Sequence, residues 1–141
     1  DGWFETKWDC YWRNANPTRE GTNTEPSPSL DRDDTDGWGP ENINASWLAN
    51  DSSYQIGVHY WDDHGFGPSY PRLKVFIDGA LRYDRDLGLE DVSMIECQMW
   101  HVANIIVAND GSISIEEVTG EVNGLDIIKG ILNTTCKHTT Q

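Results

Sequence analysis

The side chains best placed to do chemistry are carboxylates. In Asp31-Arg-Asp33-Asp34-Thr-Asp36-Gly37 they recur at spacings of one to three residues, and Glu41 follows. A hard cation such as Ca²⁺ takes about six to eight oxygens, and a short loop can supply several of them. Gly37 and Gly39 permit the tight turn that would aim backbone carbonyls inward. Counted as an EF-hand loop from Asp31, the segment fails. Its sixth residue is Asp36 where a glycine is needed, its twelfth is Asn42 where a glutamate is needed, and no amphipathic helices flank it. The expectation is that Asp31, Asp33 and Asp36 ligate one Ca²⁺, with Asp34 or Glu41 contributing. The plainer reading is a solvated acidic turn.

A second polar cluster is His59, Asp62, Asp63 and His64. A strand histidine and a loop histidine five residues on suit zinc or copper. Alternatively, His59 hydrogen-bonds a neighbouring loop and fixes it. Seven tryptophans are present, and Trp12, Trp38 and Trp47 lie in or beside loops. Flat aromatic faces stack on sugar rings, or else they pin loops and fill cores. Catalytic patterns are missing. There is no Gly-x-Ser-x-Gly, no His-Glu-x-x-His and no phosphate-cradling glycine loop. Carboxylate pairs are so abundant that no single pair is informative. The expectation is a protein that is not an enzyme.

The elements that must position these groups read as strands. Tyr54-Gln-Ile-Gly-Val-His-Tyr-Trp61 puts Tyr54, Ile56, Val58 and Tyr60 on one face at period two. Residues 73–77 and 80–84 flank Asp78-Gly79, a two-residue hairpin signal, because both turn positions favour positive φ. Residues 99–108 and 112–118 flank Asn109-Asp-Gly111, a second hairpin. The fold expected is an all-β antiparallel sandwich of about seven or eight strands with long acidic and aromatic loops, one domain over 1–141. Residues 119–141 form a C-terminal extension, either a closing strand or a donor segment between subunits.

Composition narrows the partners. The chain has 24 acidic and 10 basic residues, a formal charge of -14, which excludes nucleic-acid backbone binding and disfavours anionic membranes. No apolar run is long enough to span a bilayer, so no membrane insertion is expected. The start at Asp1-Gly2-Trp3 has no signal pattern and suggests a chain processed or cut from something longer. Asn44, Asn50 and Asn133 head Asn-x-Ser/Thr sequons, meaningful only on a secretory route that glycosylates them.

Two ordered motifs carry a resemblance. Leu30-Asp-Arg-Asp-Asp-Thr-Asp-Gly-Trp-Gly-Pro-Glu-Asn-Ile, followed by Tyr54-Gln-Ile-Gly-Val-His-Tyr-Trp-Asp-Asp-His-Gly-Phe-Gly-Pro-Ser, resembles the YfaP-type domain of secreted bacterial proteins. The likeness covers roughly residues 3–108. It implies a β-sandwich, an extracytoplasmic place and metal binding, with no settled catalytic activity. The strand that usually opens such domains has no counterpart here, and neither do residues beyond about 118. In an oxidising compartment the three cysteines leave at least one unpaired within a monomer. Cys10–Cys97 is the bridge expected, because both flank strands of the family-like body, and Cys10–Cys136 is the alternative.

Together these readings describe a secreted, extracellular or cell-surface, calcium-binding sandwich. Its partners would be copies of itself, through strand exchange into an extracellular polymer, or an extracellular glycan held by an adhesion module. In the first case residues 125–132 would fill a groove in a neighbouring subunit.

Overall fold

The computed structural model describes residues 3–17, 28–34, 39–118 and the backbone of 131–133. It is all-β and antiparallel, with no helix among the described residues. The chain divides after Asn50 into two compact units.

In the first unit, β1 (Ser29–Arg32) pairs with β2 (Asn42–Asn44), Leu30 lying opposite Ile43. Leu30 N donates to Ala15 O at 2.8 Å and ties the hairpin to residues 3–17. That segment turns on itself. The Asn14 amide donates to Lys7 O and Asp9 O, and the Tyr11 ring lies 4.8 Å from Phe4.

The second unit is a two-layer sandwich. Its larger sheet has β6 (Gln98–Val107) at the centre, with β3 (Ser52–His59) along one edge. The other edge is shared. β7 (Ile113–Glu117) pairs with Ala103–Val107, and β8 (Ile131–Asn133) pairs with Gln98–Trp100. Val118 N donates to Val102 O at 3.0 Å between them. Both strands run antiparallel to β6, so β7 and β8 lie in line along one edge. Of the C-terminal extension expected over 119–141, residues 131–133 pair with β6 of their own chain, and residues 119–130 and 134–141 lie outside the described residues.

The second layer is the hairpin of β4 (Arg72–Ile77) and β5 (Ala80–Asp86), closed by Asp78 and Gly79 at φ of 50° and 77°. Both layers bury side chains in one core. Leu87, Met94, Trp100, Val102 and Ala103 are fully buried, with Ile56 and Val58 from β3, Tyr60 just beyond it, and Leu73 and Tyr83 from the hairpin packed against them. The period-two face read from the sequence is therefore the inner face of β3. At Ile56 and Gly57 the register shifts by one. Ala103 faces Ile56, His101 faces Gly57, and Val102 is extra. Two residues opposing one is a β-bulge, which lets the consecutive Val102 and Ala103 both be buried.

Among the described residues, one charge lies inside. Arg85 of β5 is 7% exposed, its guanidinium 5.4 Å over the Trp100 ring. Its Nε is 3.1 Å from Glu90 and its Nη1 is 2.8 Å from Glu117 of β7. A cation so desolvated requires partners; Glu90 comes from the turn after β5, and Glu117 joins the hairpin to the larger sheet.

Candidate cation site

The residues expected to hold calcium divide into those the fold uses and those outside the described residues. Asp31 is engaged within its hairpin. Its carboxylate accepts from Ser29 Oγ at 3.0 Å, from the Asn42 amide at 3.4 Å and from the Asn44 amide. Asp34 accepts the Gly39 N–H. Glu41 is held above the ordinary carboxylate range by desolvation and then by the charges of Asp33 and Asp34. Asp33 and Asp34 thus lie near enough to Glu41 to repel it. Asp36 and Trp38 lie outside the described residues.

Among the described residues, the group whose ligand oxygens all fall within 4.8 Å of one another is Asp62, Asp63 and Glu96, each half-buried. Its construction follows from the sandwich. Beyond β3, Tyr60 N donates to Gln98 O at 2.9 Å and Cys97 N to Tyr60 O at 2.7 Å. These bonds carry the β3–β6 pairing past the strand ends and bring Glu96 beside the 62–66 turn. Cys97 reverses the chain there at a φ of 68°. Within the turn, one oxygen of Asp62 accepts His64 N at 2.8 Å and one of Asp63 accepts Gly65 N at 2.7 Å. Each acid therefore uses one oxygen to shape the loop. The accumulated negative charge shows at Tyr60, whose phenol is pushed up first by burial and then by Asp63, Asp62 and Glu96. Three carboxylates at this separation repel, and a divalent cation offsets that repulsion.

Of the second cluster read from the sequence, Asp62 and Asp63 belong to this group and the two histidines do not. His64 is exposed, its Nδ1 3.7 Å from Asp62 Oδ1. His59 stacks edge-on to Trp61 at 5.7 Å, and burial lowers its pKa. His101 bonds Asn104 Oδ1 at 2.9 Å. Glu96 carries no signal in the sequence: a lone glutamate before a strand reaches Asp62 only through the Tyr60–Cys97 pairing.

The Cys10–Cys97 bridge is corrected. Cys10 is a free thiol whose S–H lies 3.5 Å from Ala15 O, in the first unit, and burial raises its pKa. Cys97 is disulfide-bonded, and Cys136, the other cysteine of the sequence, lies outside the described residues. Flanking a strand says nothing about which unit a cysteine enters, which is why the sequence misleads here. Trp12 and Trp47 are exposed in the first unit, Trp12 lying edge-on to Tyr11 at 6.4 Å. Asn44 and Asn50 are exposed, and the side chain of Asn133 lies outside the described residues.

No protein-family model matches the sequence, and no match was found among curated proteins or solved structures.

Proposed function

We propose that the protein is a secreted, YfaP-type β-sandwich that is stabilised by calcium and works by binding rather than by catalysis. The observation that carries this reading is the convergence of Asp62, Asp63 and Glu96 at one end of the sandwich. The oxygen-only donor set suits a hard cation, and the loop carbonyls and water would complete its shell. The disulfide at Cys97 suits an oxidising compartment, and the exposed Trp12 and Trp47 suit stacking on an extracellular glycan. Assembly by strand exchange is the weaker reading, because residues 131–133 pair with β6 of their own chain.

Thermal melts in calcium and in chelator test the proposal, with calorimetric titration of the metal. The expected result is one calcium ion bound and a higher melting temperature in calcium. Equal melting temperatures with no heat of binding would refute it.

A further inference from the structure

The two loops that bear these carboxylates also display apolar side chains that the core does not use. Phe66 is 86% exposed and Leu89 87%; Tyr70 and Ile95 are more than half exposed. Single exposed apolar residues need no explanation, but these four are held on two loops stitched together. Ser69 and Met94 exchange backbone hydrogen bonds of 2.9 and 2.8 Å, and Leu87 N donates to Pro71 O at 3.1 Å. A Cβ on Gly88 would lie 3.6 Å from Tyr70 Cβ, so the chain beside Leu89 abuts Tyr70. The β4–β5 and β6–β7 turns, by contrast, carry Asp78 and Asn109-Asp110.

The charge of these loops selects the occupant. Residues 60–71 and 87–97 contain Asp62, Asp63, Asp91 and Glu96, besides the Glu90 that Arg85 holds, and no lysine or arginine. An anionic lipid surface would be repelled. A protein segment that alternates Lys or Arg with apolar side chains answers both features, placing cations on the acids and apolar groups on the projecting rings and chains. We propose that this loop end docks a cationic, apolar-bearing segment of a partner protein, with Phe66 and Leu89 as the anchors. The proposal goes beyond calcium binding and does not depend on it.

The probe is a short synthetic peptide of alternating lysine and leucine, titrated by fluorescence anisotropy in chelator at low salt. A lysine–serine peptide of equal charge and phosphatidylcholine vesicles serve as the other arms. Phe66→Ser/Leu89→Ser removes side chains outside the core, so its melting temperature is expected to stay at the wild-type value. Binding of the lysine–leucine peptide is expected to weaken about tenfold in that variant. Phe76→Ser/Leu81→Ser removes another exposed apolar pair, on β4 and β5, and is expected to leave affinity unchanged. Equal losses in the two variants, equal affinity for the lysine–serine peptide, or binding to the vesicles in preference to the peptide would overturn the proposal. Calcium is expected to compete with the peptide. A tenfold loss in the first variant with no calcium effect would support the docking surface and count against the calcium reading alone.

Discussion

Replacing Asp63 by asparagine separates the two jobs its carboxylate does. Asp63→Asn keeps the Oδ1 that accepts Gly65 N, so the turn retains its hydrogen bond. What is lost is one charge within 4.8 Å of Asp62 and Glu96. Asp62 is its sequence neighbour and repels it in the unfolded chain too, so the repulsion specific to folding is mainly with Glu96. For half-exposed groups at that separation, Coulomb's law with a water-like dielectric gives about 1 kcal/mol. Without metal, Asp63→Asn is therefore expected to be more stable than wild type by about that amount, raising the melting temperature by about 2–5 °C. In calcium the sign reverses. Metal at a hundredfold excess over its dissociation constant stabilises the wild type by about 2.7 kcal/mol. A tenfold weaker site removes about 1.4 kcal/mol of that gain. Paired melts of both proteins, with chelator and with calcium, read the crossover directly. Tyr60 supplies a second readout, since its phenol should titrate at lower pH once Asp63 is neutral. A variant that melts below wild type in chelator, or that keeps the whole calcium gain, would refute the assignment.

Further outcomes follow from the same structure. Arg85→Met preserves packing over Trp100 but removes the cation that Glu90 and Glu117 face; urea unfolding should show a loss of about 1–3 kcal/mol, and Glu117→Gln less than about 1 kcal/mol because Glu117 is 43% exposed. Burial lowers the His59 pKa from 6.5, so the unfolded chain takes up the proton first. Stability should be full above about pH 6.5 and fall as the pH drops toward the depressed folded value, and His59→Gln should flatten that part of the melting-temperature profile. In non-reducing peptide mapping, Cys10 should be alkylated and the Cys97 peptide cross-linked; an alkylated Cys97 would contradict the structure.

The strands were legible in the sequence because their signals are local. Alternation over residues 54–60 and the Asp78-Gly79 turn each fix an element without reference to the rest of the chain. The bulge at Val102 was not legible, because it depends on which residue of β3 lies opposite. The acidic loop drew attention through density: carboxylates adjacent in sequence are easy to see. Asp62, Asp63 and Glu96 meet only because Tyr60 and Cys97 extend a pairing between distant strands, and sequence spacing carries no trace of that contact. Arg85 shows the same limit. Glu90 is near it in the chain, but its other partner, Glu117, is on a distant strand, and burial over Trp100 has no local signal.

The in-line arrangement of β7 and β8 bears on how this protein can be altered. Val118 sits opposite Val102 and Ile131 opposite Trp100, so the two ends lie about two residues of strand rise apart, roughly 7 Å. A link of one or two residues would span that gap and leave a single uninterrupted strand beside β6. The step from Val118 to Ile131 thus marks a position where the sheet accepts an insert without changing its register. The same position offers a graft point for a reporter or a second domain, with the sandwich on both sides of the splice kept intact.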